Sequence, residues 1–205
     1  MRRIALFGGS FDPIHIGHTH VAWEALQQLQ ADRVIFIPAK QSPLKQSSPM
    51  ASDLHRLNMI HDAIQDMENF EVNDCEFKRA APSYTLDTII YLRSTLPKDI
   101  ELFWLIGADT LHDLPYWYHI DELMEQCHLA ILTRGGYKFP DFSQFETLWG
   151  LKRAQTLQKH VIKTRMIELS SSEIRTRLRL QQDVSACLHP AVLQYIQQHQ
   201  LYQAD

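Results

Sequence analysis

The stretch Gly8-Gly9-Ser10-Phe11-Asp12-Pro13-Ile14-His15-Ile16-Gly17-His18 combines residue types suited to holding a phosphate chain. Gly8 and Gly9 permit positive φ and close approach of an anion to the backbone. They follow the apolar run Ile4–Phe7 and precede a helical pattern, and a helix start leaves N–H groups free with a dipole that favours negative charge. A Gly-Gly pair alone serves equally well as a plain strand-to-helix turn. His15 and His18 add to it: three residues apart near a helix start, they share a face, and Gly17 keeps the backbone close. As a metal pair they lack a third His, Cys or carboxylate at ligand spacing. As phosphate ligands, imidazoles donate hydrogen bonds and stabilise charge growing on a leaving group. The pattern is neither a Gly-x-Gly-x-x-Gly fingerprint nor a Walker loop.

A second anion clamp is offered by Ser170-Ser171-Ser172-Glu173-Ile174-Arg175. Ser170 and Glu173 have capping-box spacing, and free N–H groups, hydroxyls and one guanidinium fork suit phosphate oxygens. Standing alone, this segment is also just a well-capped helix. Thr85, at another helix start, is placed to donate to a carboxylate along with nearby amides. Trp117 and Tyr118 offer an aromatic face for a flat ring, or a packing cluster with Pro115 and Tyr116. Asp109 accepts from ribose hydroxyls or caps a helix. Lys45 is a point charge for a triphosphate or a solvated loop residue.

These residues need elements to position them, and the apolar patterning supplies an alternation. Ile4–Phe7, Val34–Ile37, Phe70–Val72, Leu102–Ile106 and His128–Leu132 read as strands, and Val161–Leu169 alternates like one. His18–Leu29, Asp53–Met67, Ser83–Leu96, Asp121–Gln126, Ser172–Leu180 and Ala191–His199 read as helices. Ser83 or Thr85 is expected to cap the third of them. Phe139–Gln158 stays ambiguous, interrupted by Pro140, Trp149 and Gly150, and the stretch from Ala39 to Ser52 reads as a mobile loop. Repeated strand–helix units predict an α/β fold, a doubly wound parallel sheet with helices on both faces. Ligands bind such sheets at the carboxyl ends of the strands. One domain, residues 1–205, is expected, with a C-terminal helical appendage.

Composition narrows the class further. The 205 residues are 45% hydrophobic and 21% charged, with a net charge of -4, so no global basic surface argues for nucleic acid. Three cysteines without a Cys-x-x-Cys pair suggest neither a disulfide framework nor a thiolate zinc site. No apolar run approaches the ~18 residues of a membrane helix. A soluble cytoplasmic protein without nucleic-acid or membrane partners is expected.

Gly9-x-Phe11-x-Pro13-x-His15-x-Gly17-His18 resembles the signature of the nucleotidyltransferase superfamily, and Ser170–Arg175 resembles its C-terminal Ser-Ser-Thr-x-x-Arg element. Ser83-Tyr84-Thr85-Leu86-Asp87-Thr88, Gly107-Ala108-Asp109 followed by Trp117, and the end from His189 to Tyr202 are similar to segments of the bacterial nicotinate-mononucleotide adenylyltransferases. The resemblance implies a Rossmann-like fold and transfer of the adenylyl group of ATP to nicotinate mononucleotide in NAD synthesis, with Mg2+ carried by the ATP phosphates. It implies catalytic roles for His15, His18, Lys45 and Arg175. It further implies ATP contacts by Gly8, Gly9, Ser10, Phe11, Arg134, Ser171 and Ser172, and nicotinate mononucleotide contacts by Thr85, Gly107, Asp109, Trp117 and Tyr118. A homo-oligomer is compatible with it. Two positions depart from the pattern: Ser172 replaces Thr and keeps the hydroxyl, and Leu44 replaces a loop His. A phosphopantetheine adenylyltransferase should lack Ser83-Tyr84-Thr85 and Trp117 in these roles. A non-catalytic nucleotide sensor would be free to lose the charge stabilisers.

Overall fold

Within the strand Arg3–Gly9 (β1), Ala5 belongs to one apolar layer while Ile4 and Leu6 belong to another. The strand Glu101–Gly107 (β4) divides likewise, Phe103 and Leu105 to the first layer and Leu102, Trp104 and Ile106 to the second. Successive strand side chains point to opposite faces, so a continuous apolar run is what a sheet covered on both sides requires. The computed structural model of the chain describes residues 2–44, 47–134, 141–165 and 169–203.

Four further strands complete the sheet: Arg33–Pro38 (β2), Phe70–Val72 (β3), His128–Arg134 (β5) and Val161–Thr164 (β6). All neighbours pair in parallel, in the order β3-β2-β1-β4-β5-β6. Ile16–Gln28 (α1), Asp53–Ile64 (α2), Ser171–Arg179 (α6) and Pro190–Gln198 (α7) supply the first apolar layer. Thr85–Thr95 (α3), Ile120–Gln126 (α4) and Ser143–Lys159 (α5) supply the second. The expected doubly wound sheet is therefore present.

Several local expectations change. The ambiguous segment is the helix α5, broken where Gly150 takes φ 80° and ψ 162°, a conformation glycine adopts without steric cost. β6 stops at Thr164 rather than Leu169, and residues 166–168 lie outside the described residues. The expected C-terminal helices are present and pack into the core: Ile174, Val184, Val192, Ile196 and Tyr202 are buried with Ala5, Phe36 and Leu132 in one layer. At the edge of the sheet, the Gln28 amide brackets one residue of β6. Its Nε2 donates to the Lys163 carbonyl at 2.7 Å and its Oε1 accepts from the Lys163 N–H at 3.1 Å. This occupies an edge that would otherwise offer unpaired backbone groups.

His160 and His128 sit near the start of β6 and β5, their rings 5.0 Å apart and each packed on Phe103. Burial, then the neighbouring His128 and Lys159 charges, lowers the His160 imidazole from 6.5 to about 4. Burial likewise lowers His128. A histidine held neutral in the fold binds its proton more readily in the unfolded chain, so its contribution is intact above pH 6.5 and is lost as pH falls towards 4. The urea midpoint is expected to drop across that window, and His160→Phe is expected to make the drop shallower. An unchanged slope in the variant refutes the assignment.

Candidate active site

β1 is hydrogen-bonded to β2 on one side and β4 on the other, which makes its carboxyl end the switch point of the sheet, where such folds open a crevice. The crevice has two lobes that share Phe7, Gly8, Gly9, Ser10 and Gly107. The first, of about 470 Å³, is lined by His15, His18, Ser171, Ser172 and Arg175. The second, of about 670 Å³, is lined by Ser83, Tyr84, Thr85, Trp104, Trp117 and Tyr118.

The glycines work by size rather than by positive φ. Gly8 and Gly9 both lie in β1, and among the described glycines only Gly150 has positive φ. A Cβ on Gly8 would stand 2.3 Å from the Trp104 ring, and one on Gly9 would stand 2.9 Å from the Phe11 ring. The left-handed turn is taken instead by Phe11, at φ 47°, whose buried ring packs edge-on to Phe7 and His18.

α1 begins at Ile16 with His15 as its N-cap, two residues earlier than the periodicity indicates. The His15 N–H donates to His18 Nδ1 at 3.2 Å, and the two rings stack with centroids 3.7 Å apart. An Nδ1 that accepts from a backbone amide leaves the proton of a neutral imidazole on Nε2. His18 is thereby set up as a donor on the lobe it lines. α6 closes the lobe from the other end of the chain. Ser170 accepts from the Glu173 N–H at 3.1 Å, while the Glu173 carboxylate pairs with Arg177, so the capping box is half formed. The Ser171 hydroxyl donates to the Pro13 carbonyl at 2.9 Å, Arg175 Nη1 donates to the Asp12 carbonyl at 2.7 Å, and Arg175 Nη2 donates to Ser172 Oγ at 3.2 Å.

In the second lobe, the N-cap of α3 is Tyr84 and no side chain caps it. Neither Ser83 nor Thr85 fills that role: the Ser83 hydroxyl accepts from the Lys40 N–H at 3.1 Å, and Thr85 is the first helical residue. Among the described residues no side chain caps the first-turn amides, which have no intrahelical acceptor. Beneath them Glu76 is 3% exposed and accepts from the Thr88 hydroxyl at 2.6 Å, while Arg79 Nη2 donates to the same hydroxyl at 2.5 Å. Burial raises the Glu76 carboxyl, with Thr88, Ser83 and Arg79 opposing. Tyr84 stacks on Tyr118 at 4.4 Å, joining the start of α3 to the Trp117 segment. Trp117 Nε1 is buried with no hydrogen-bond partner among the described residues.

Gly107 lines both lobes and Asp109 the first; a Cβ on Gly107 would meet Asp109 Oδ1 at 2.2 Å. Lys45 lies outside the described residues, as does the side chain of Arg134, whose backbone ends β5. Two structural anchors escape sequence reasoning. Arg56 is fully buried and donates to the Ser10 carbonyl at 2.8 Å, the Ala39 carbonyl at 2.7 Å and Asp53 at 2.6 Å, yet its helix gives no sign that a cation faces inward. Asp12 is 4% exposed and accepts from the Met50 and Ala51 amides; its place inside the first motif is the only signal for it.

A parallel sheet with a lobe lined by His, Ser and Arg side chains and an aromatic lobe meeting at its switch point has the layout of a nucleotide-binding α/β protein. The sequence model of the cytidylyltransferase-like family matches residues 6–177. A probable nicotinate-nucleotide adenylyltransferase of Rhodopirellula baltica is 39% identical over 85% of this chain and 81% of its own length. A protein of the same description from Methylacidiphilum infernorum is 38% identical over 98% of this chain and 92% of its own. A solved structure described as Plasmodium falciparum nicotinic acid mononucleotide adenylyltransferase complexed with NaAD shares the fold, with a TM-score of 0.75 and 21% identity over 98% of each chain. The chain belongs to the cytidylyltransferase-like family, within the group of nicotinate-nucleotide adenylyltransferases.

The crowding at Gly8 has a direct consequence. Gly8→Ala should cost about 1–3 kcal/mol of stability in urea unfolding, because the Trp104 ring has to move out of a packed layer. A loss within experimental error refutes the steric requirement.

Proposed function

We propose that this protein transfers the adenylyl group of ATP to nicotinate mononucleotide, giving nicotinate adenine dinucleotide and pyrophosphate in NAD biosynthesis. The observation that carries the reading is the junction of the two lobes at Gly8–Ser10 and Gly107. A triphosphate in the lobe of His18, Ser171, Ser172 and Arg175 would lie end to end with a mononucleotide in the lobe of Thr85, Trp117 and Tyr118. The pyridine ring would face Trp117, and its carboxylate would meet the open amides at the start of α3. Gly8, Gly9, Ser10 and Phe11 would border the phosphates, with Arg134 on the adenine side and Gly107 and Asp109 near the ribose.

The acceptor phosphate oxygen attacks the α-phosphorus in line, a P–O bond forms, and the bond from the α-phosphorus to the bridging oxygen breaks as pyrophosphate departs with the electron pair. The nucleophile is already anionic at neutral pH, so positioning and charge stabilisation are what the protein supplies. His15, His18, Lys45 and Arg175 would carry that stabilisation. In the first lobe Asp12 is already filled by amide and hydroxyl donors, and Asp109 is an exposed carboxylate. Among the described residues no three His, Cys, Asp or Glu gather to hold a metal. Mg2+ would therefore be bound chiefly by phosphate oxygens and water, supplying neutralisation of charge on the departing pyrophosphate. Among the described residues no helix is long and apolar enough to cross a membrane, and Cys75, Cys127 and Cys187 are free and buried, in keeping with work in a reducing cytoplasm.

Pyrophosphate release should follow mixing with Mg-ATP and nicotinate mononucleotide, and kcat/KM should be at least about tenfold lower with the nicotinamide form, which lacks the charge that α3 attracts. ATP binding without pyrophosphate release from either mononucleotide would leave a nucleotide sensor; equal kcat/KM would remove the acid specificity. His18→Ala should lower kcat by about 10²–10³-fold with a smaller change in KM, as for other donors to a developing charge. Near-normal turnover sinks that role.

A further inference from the structure

The buried carboxylate of Asp12 stands between the first anion motif, the loop before α2, α6 and the C-terminal segment. Its Oδ2 accepts from the Met50 N–H at 2.8 Å, and its Oδ1 accepts from the Ala51 N–H at 3.1 Å and the Tyr202 hydroxyl at 2.7 Å. Arg175 is bonded to the backbone carbonyl of the same residue at 2.7 Å, while its Nη1 stays 3.7 Å from Asp12 Oδ2. The latter contact is an ion pair, longer than a hydrogen bond. Two acceptors on one residue therefore compete for one guanidinium, and the carboxylate is kept satisfied by other donors. The Tyr202 hydroxyl is one of these; burial and the adjacent Asp12 charge push its ionisation upward, so it remains a donor.

We propose that Tyr202 is a positioning residue for the triphosphate clamp: by filling Asp12 Oδ1 it holds the Arg175–Asp12 ion pair at 3.7 Å, short of a direct hydrogen bond, and leaves the guanidinium on the lobe that binds phosphate. The proposal rests on the adenylyl-transfer reading for its kinetic consequences only. Without the hydroxyl, Asp12 is a buried anion short of a donor, a state that costs enough to recruit the nearest cation. Arg175 is already ion-paired with Oδ2, and closing from 3.7 Å to a direct hydrogen bond would draw it away from the ligand. Tyr202 lines neither lobe, so direct substrate contact is not the route of its effect.

Tyr202→Phe keeps the packed ring and removes the bond. Its affinity for α,β-methylene ATP, measured by titration calorimetry, should fall about tenfold, the scale of one hydrogen bond to a charged group. The KM for ATP should rise and kcat should fall, while the KM for nicotinate mononucleotide stays within about twofold. In an Arg175→Ala background the same substitution should have little further effect on analogue binding, because the group it acts through is gone. A lowered melting temperature with unchanged analogue affinity overturns the proposal and leaves Tyr202 a packing residue. So does a full tenfold loss in both backgrounds. Calorimetry is done at a temperature where both variants are folded and needs no turnover. Absence of adenylyl transfer by the wild-type protein therefore counts against the proposed function and not against this inference.

Discussion

The bond from Arg175 to the Asp12 carbonyl joins positions 163 residues apart and sets how α6 closes the first lobe. On α6, Ser171, Ser172 and Arg175 face nothing useful in isolation. Seated against Pro13 and Asp12 through Ser171 and Arg175, they meet the start of α1 and its two histidines. The seat is held from below by Ile174, buried with Ile14 and Val192 among the most enclosed side chains. Apolar packing supplies the docking energy, and the polar contacts supply the register.

In a protein with net charge -4, buried charges beside the crevice are paired one by one. Arg56 is fixed by two carbonyls at the ends of β1 and β2 and by Asp53, and its guanidinium carbon lies 4.8 Å over the Phe77 ring. Asp12 is saturated by donors of its own. Each buried charge is therefore compensated, which a low-dielectric interior demands. The second lobe follows the same rule: Glu76 is held by Thr88 and flanked by Arg79, and the result is a start of α3 whose amides stay open.

Much of the fold is legible in the chain, for a plain reason. Runs such as Leu102–Ile106 are apolar on both faces, and only a sheet covered on both sides can hide them. Short elements and boundaries are less legible. α5 was obscured by Gly150, which breaks the helical path without ending the element. The start of α1 lies at Ile16 because His15 and His18 organise its first turn through each other, an interaction that no hydrophobic period records. The role of Gly8 and Gly9 was readable as a need for glycine but not as to cause: the limit is the Trp104 and Phe11 rings, brought there by β4 and by the turn after β1.

By itself, the sequence determined the residue chemistry and its order: two motifs of a kind suited to anions, an aromatic segment, a helix start with Thr85, and a strand–helix alternation that allows one kind of sheet. Tertiary structure alone decided which of these share a cavity. Pairing of β1 with β4 brings Gly8, Gly9 and Gly107 to the border that the two lobes share. Burial of the C-terminal helices against α2 and β1 brings Arg175 and Tyr202 onto Asp12. Local propensity reaches only a few residues along the chain, whereas these contacts are set by which apolar faces can cover one another, and that choice involves the whole sheet at once.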